Sequence, residues 1–91
     1  MLKIRVHNRF KKDLKNIKKR GFDENKLWAV IELLASETPL PPKNCDHNLT
    51  GNYQGCRECH IEPDWLLVYE IKKDELLLIL IRTGSHSDLK F

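Results

Sequence analysis

From Leu2 to His7 the chain alternates Leu2, Ile4 and Val6 with Lys3, Arg5 and His7, the period-two pattern of a strand with one buried face. The period then lengthens. Phe10, Leu14 and Ile17 recur at helical spacing among Lys and Arg, with Asn8 available as a cap and Gly21 as a stop, which predicts a narrow-striped basic helix. Asp23 offers a second cap. From Glu24 to about Glu37 the apolar set Leu27, Trp28, Val30, Ile31, Leu33 and Leu34 covers a broader face, so this helix is expected to be the better buried. Thr38-Pro39-Leu40-Pro41-Pro42 ends it, since proline lacks the amide donor a helix needs.

Gly51 and Gly55 bracket a turn or bulge, after which Cys56 to Glu62 alternates again. Two apolar runs follow, Trp65 to Ile71 and Leu76 to Thr83, joined by the hairpin signal Lys72-Lys73-Asp74-Glu75. Gly84-Ser85-His86-Ser87-Asp88 reads as a closing loop. The order β-α-α-β-β-β predicts one α+β domain over residues 1–91, an antiparallel sheet with both helices on one face and the other face partly open. On the strand that carries them, His60 and Arg57 point to opposite sides, so at most one belongs to that open face unless a bulge intervenes.

A chain of 91 residues with 41% hydrophobic and 32% charged side chains can form one modest core and is not disordered in composition. Its apolar runs fall short of the roughly 18 residues of a membrane span, and Met1-Leu2-Lys3-Ile4-Arg5 lacks a secretory apolar region; the reading is a cytosolic protein with no membrane partner. The net charge of +3 conceals an asymmetry. Residues 1–20 hold nine Lys and Arg against Asp13 alone, whereas the remainder is net acidic. A cationic face of this kind suits polyphosphate or an acidic protein, and the alternative is a merely solvated helix surface.

Chemistry concentrates between Cys45 and Tyr69, where His47, His60, Arg57, Asp64 and all three cysteines lie, with His86 returning after the last apolar run. Imidazole suits both proton transfers of phosphodiester cleavage by a neighbouring 2′-hydroxyl, because its pKa of about 6.5 lets both forms exist near neutrality. A guanidinium, Arg82 or Arg57, could stabilise the phosphorane charge. Trp65 and Phe91 could stack on bases, core packing being the alternative for Trp65. Cys56-Arg57-Glu58-Cys59-His60 fits the haem-attachment spacing and, with Cys45 and His47, a zinc set. Haem attachment requires export, and strand alternation sends Cys56 and Cys59 to opposite faces. Small reduced residues filling space near a turn is the simpler reading of the cysteines.

Taken together, Asp46-His47-x-Leu49-x-Gly51-x-Tyr53-x-Gly55-x-Arg57-Glu58-x-His60-Ile61-x-Pro63-Asp64-Trp65-x-Leu67-Val68-Tyr69, then Arg82-Thr83-Gly84-Ser85-His86 and Leu89-x-Phe91, resembles the YafQ branch of the RelE-type bacterial toxins over nearly the whole chain. The resemblance implies the toxin of a type II toxin–antitoxin pair, a ribosome-dependent, metal-free endoribonuclease that needs no cofactor and cuts translated mRNA in the ribosomal A site. It implies acid/base roles for His47, His60, Asp64 and His86, with His60 and His86 leading, and a catalytic or substrate-placing role for Phe91. Arg82 is then expected on the phosphate, with Arg57 second. Ribosomal RNA would lie on the basic helix through Lys11, Lys12, Lys15, Lys18 and Lys19, a cognate antitoxin would cover the same surface, and operator DNA would be met only through the antitoxin complex. The competing readings are a toxin of this fold without nuclease activity that poisons a protein such as gyrase, a zinc-dependent nucleic-acid-binding module, and an RNase active on free RNA. The cysteines beside Arg57-Glu58 leave a redox or metal influence open.

Overall fold

The structure, a computed structural model, describes residues 1–89; Lys90 and Phe91, with the roles expected of the latter, lie outside the described residues. Strand β1 (Lys3–Val6) leads into helix α1 (Asn8–Lys19) and helix α2 (Glu24–Ala35), followed by a short strand β2 (His47–Asn48), then β3 (Arg57–Glu62), β4 (Trp65–Lys72), β5 (Leu77–Gly84) and a single-turn helix α3 (His86–Leu89). The strands form one sheet in the order β1-β5-β4-β3-β2. The expected α+β class and element order hold, with two additions, β2 and α3. One pairing differs: β1 runs parallel to β5, so the sheet is mixed, because two helices carry the chain back to the same end of the sheet before β2 begins. No helix among the described residues is long and apolar enough to cross a membrane.

Helix α1 begins without the expected Asn8 cap. The His7 amide still bonds to the Leu80 carbonyl at 3.0 Å, so the chain leaves the sheet and enters the helix within one residue, and Asn8 is already helical. Helix α2 is capped as its sequence predicts, Asp23 accepting from the Asn25 amide at 3.0 Å.

Both long helices press on one sheet face, where Phe10, Ile17, Leu27, Ile31 and Leu34 meet Cys59, Leu67, Tyr69, Leu78 and Leu80. Each large side chain buried there contributes about 1.5–3 kcal/mol. Helix α2 is the more deeply set, as its broader stripe implies, although Trp28 turns outward and donates to Glu24 instead. The opposite face is only partly open: Leu66 and Val68 pack with Leu89, Leu49, Tyr53 and Cys56, which is why the start of β4 is apolar at every position.

Trp65 belongs to the helix-side core. It is 2% exposed, donates its Nε1 hydrogen to Thr83 Oγ1 at 2.9 Å and meets Phe22 edge to face at 5.0 Å. The expectation that it stacks on a base is therefore corrected, since strand alternation turns this side chain away from the open face.

Candidate functional site

Alternation along β3 places Glu58 and His60 on the face away from the helices. The antiparallel β2 sets His47 directly opposite Glu58, and β4 sets Leu66 opposite His60. Across β4, Leu66 pairs with Gly84, the last residue of β5, and the next turn brings His86 over the same face. The rings of His47 and His60 lie 6.5 Å apart between centroids, and those of His60 and His86 5.8 Å. Three imidazoles from distant parts of the sequence thus form one row.

Each ring has a different setting. His86 Nδ1 stands 2.5 Å from Asp64 Oδ1, which also accepts the His86 backbone amide at 3.0 Å. These bonds, the backbone one first, hold the Asp64 carboxyl below its ordinary range, so it is ionised near neutrality and accepts a hydrogen from Nδ1. The Nε2 of His86 is left for other work. His47 Nδ1 donates to the Cys45 carbonyl at 2.6 Å, while its Nε2 faces Glu58 Oε1 at 3.3 Å. Both nitrogens of His47 thus face acceptors within the protein. His60 sits half-buried between the two.

Two residues that the sequence reading did not single out support this row. Glu58 is 7% exposed beneath it, its Oε1 on His47 and its Oε2 without a partner among the described residues. Strand spacing could have found it, since it stands two positions before His60. Asn44, also buried, donates Nδ2 to the His60 carbonyl at 2.7 Å and so pins the loop before β2 to the strand carrying that histidine. Nothing in the sequence beyond a turn-forming residue after two prolines signals it.

Neither arginine takes the expected place. Arg57 projects from the helix side of β3 and is held by Asp46, through Nε at 3.3 Å and Nη2 at 3.1 Å, and by Asn48 at 2.6 Å; Tyr69 shares Asp46. It faces away from the histidine row. Arg82 follows a register shift in β5 and reaches α1, where Nε and Nη2 contact the two oxygens of Asp13 at 2.7 and 3.2 Å. The pair is nearly buried, and the Thr83 amide adds a bond to Asp13 at 3.2 Å. The expectation of a phosphate-binding Arg82 gives way to a brace between β5 and α1, because its charge is already neutralised.

The turn bearing His86 is fixed by reciprocal bonds, the Ser85 amide to Asp88 Oδ2 at 2.8 Å and the Asp88 amide to Ser85 Oγ at 3.2 Å, a capping box in miniature. Gly84 permits this approach: at φ +155°, a Cβ there would meet Asp88 Oδ2 at 2.8 Å. Asp88 also takes Arg20 Nη1 at 2.6 Å. The Ser85 amide and then Arg20 lower the Asp88 carboxyl below its usual range. A carboxyl with a folded pKa below its unfolded value stabilises above the ordinary range near 4, and this support goes as pH falls through the folded value. The amides of Ser85 and His86 are thus expected to stay protected from hydrogen exchange at mildly acidic pH and to lose protection below about pH 4; protection lost already near pH 6 would contradict the pairing.

The cysteines lie apart. Cys59 is fully buried on the helix side, Cys56 is half-buried in the cluster beneath the open face and Cys45 is exposed. Cys56 and Cys59 therefore do not converge as a C-x-x-C ligand pair, as alternation predicts. Burial pushes the Cys59 thiol up to about 12. Alkylation at pH 8 followed by mass spectrometry is expected to modify Cys45 first and Cys59 only after unfolding. Early labelling of Cys59 would contradict the core placement.

The five lysines of α1 are all exposed, Lys18 pairing with Glu24 at 3.5 Å. They lie on the helix layer, across the sheet from the histidine row.

Comparison with known proteins adds a further observation. A family described as the bacterial toxin of type II toxin–antitoxin system, YafQ, matches residues 2–91. The chain is 41% identical over 87 residues to the mRNA interferase toxin YafQ of Escherichia coli K12, covering 94% of this chain and 92% of that one. A crystal structure of a metal-bound toxin from Helicobacter pylori superposes with a TM-score of 0.92 at 53% identity, covering 98% of this chain and 99% of that one. YafQ in the E. coli DinJ–YafQ complex superposes at 0.89 with 40% identity, covering 98% of each chain.

Proposed function

The chain belongs to the YafQ family of type II toxins, and on that footing we propose how this endoribonuclease makes its cut. The observation that carries the reading is the row His47, His60 and His86 on one face of the sheet, with Asp64 behind one ring and Glu58 behind another. His60 takes the proton of the 2′-hydroxyl as that oxygen attacks the adjacent phosphorus. His86, its Nδ1 hydrogen held by Asp64 so that the carboxylate stabilises the imidazolium, delivers a proton from Nε2 to the departing 5′-oxygen. The products are a 2′,3′-cyclic phosphate and a free 5′-hydroxyl. His47, its Nδ1 on the Cys45 carbonyl and its Nε2 facing Glu58, stands beside the reaction as a held neighbour of His60. Phe91 keeps its proposed role in placing the substrate.

The substrate proposed is mRNA in the ribosomal A site, with the cationic α1 lysines against ribosomal RNA, in the cytoplasm. A cognate antitoxin is the expected protein partner, as DinJ is for the E. coli protein, and contact with operator DNA would come through that complex. The zinc-module reading loses its ligand set with Cys56 and Cys59 on opposite faces. The non-nuclease reading has no use for the histidine row.

Purified protein added to a programmed initiation complex is expected to cut the mRNA within the A-site codon and to leave the same mRNA intact without ribosomes. Equal cutting of free RNA would replace the ribosome-dependent reading with a free RNase.

A further inference from the structure

Where α1 passes the end of β5, a cleft of about 400 Å³ opens between the helix and the turn that carries His86. Arg9, Lys12 and Asn16 line it from one helical face, the Arg82–Asp13 pair closes its rear and Asp88, tied to Arg20, forms the far wall. Arg9 and Lys12 are exposed, and neither has an ion-pair partner among the described residues. We propose that this cleft is a phosphate seat for RNA, with Arg9 and Lys12 as the groups that hold a backbone phosphate and Asn16 as an adjoining hydrogen-bonding side chain.

The lining chooses between possible occupants. Ile17 is its one apolar side chain, so a protein segment would find no pocket in which to bury an anchor, as protein interfaces require. A sugar–phosphate backbone needs cations and polar donors, which the cleft supplies. The cavity under α2 is more apolar, with Ala29, Val30, Leu33, Pro41 and Ile61 beside Lys26, Lys43, Asn44 and Glu62. Position adds to the case. Asp88 and His86 belong to the same single turn of helix, so RNA lying across this turn would engage the cleft on one side and the histidine row on the other. Among the other α1 lysines, Lys11 and Lys18 lie on the opposite arc of the helix from Arg9.

The proposal rests on the nuclease reading for its relevance, and its test is separate. Two variants of equal charge change are compared, Arg9→Glu with Lys12→Glu in the cleft, and Lys72→Glu with Lys73→Glu at the exposed hairpin between β4 and β5. The probes are an uncleavable 2′-O-methyl RNA octamer, vacant ribosomes and a polyglutamate peptide, each across a salt series. The cleft variant is expected to bind RNA more weakly and to lower the slope of log affinity against log salt by about 0.7 for each phosphate it no longer neutralises, about 1.4 for two. The control variant is expected to keep the wild-type slope. Weaker binding of the octamer places the substrate strand in the cleft; weaker binding of ribosomes alone places ribosomal RNA there. Equal weakening in both variants, or the same weakening for polyglutamate as for RNA, would overturn the proposal. Arg9→Gln with Lys12→Gln, which removes charge without reversing it, gives the same reading should the glutamates disturb Arg82–Asp13. A wild-type protein that binds RNA through the cleft but does not cut translated mRNA would refute the nuclease reading and leave the phosphate seat standing.

Discussion

His86→Ala is expected to lower cleavage of ribosome-bound mRNA by about 10²–10⁴-fold, the range that a positioned proton-transfer group contributes. The side chain is about 59% exposed, and the turn beneath it is held by Ser85, Asp88 and Arg20 rather than by the imidazole, so the variant should fold and melt like the parent. Asp64→Asn should fall between parent and His86→Ala: the amide can no longer stabilise a charged ring, although the neighbouring geometry remains. Single-turnover cleavage on programmed ribosomes measures both. A His86→Ala protein that cuts at the parental rate would remove His86 from the reaction, and equal loss with an altered melting curve would make its role structural.

The second large effect is one of stability. Asp13→Ala leaves the Arg82 guanidinium without its counter-charge in a site where the two side chains are about 8% and 10% exposed, and also strips the Thr83 amide of its acceptor. Breaking one partner of a buried pair costs about 3–5 kcal/mol, a large share of the roughly 5–15 kcal/mol that holds a domain together. Urea unfolding should show the loss as a lower midpoint at an unchanged slope. Replacing Asp13 and Arg82 together by apolar residues should cost far less, because no charge is then stranded. A single-variant loss under about 1 kcal/mol would mean that the pair is open to water in solution.

Most of the fold is written in period. The alternation in β1, the narrow stripe of α1, the broad stripe of α2 and the apolar runs of β4 and β5 each announce an element, and each is found. What local pattern does not carry is pairing over distance, hence the parallel β1–β5 contact, and elements too short to have a period, hence β2. Helix α3 was legible in principle, since Ser85-x-x-Asp88 is a capping-box spacing; its glycine and serines read instead as a loop. The histidine row follows from alternation and from the resemblance together. Arginines and the tryptophan misled for a shared reason: a side chain's chemistry says what it could bind, while register and bulges decide which way it faces. The register shift between Val68 and Tyr69 sets Arg82 opposite Val68, from where its guanidinium reaches Asp13, and alternation buries Trp65. Strand spacing puts Glu58 on the face of His60, but a carboxylate there gains its meaning only once that face is known to be open.

If the histidine row cuts mRNA as it is translated, brief induction of the protein in bacteria, with mRNA 5′ ends mapped for the parent and for His86→Ala, will reveal the cuts. New ends bearing 5′-hydroxyls, in frame with coding sequences and absent from the variant, are the predicted result. Growth arrest without such ends, or the same ends in the variant, would contradict it.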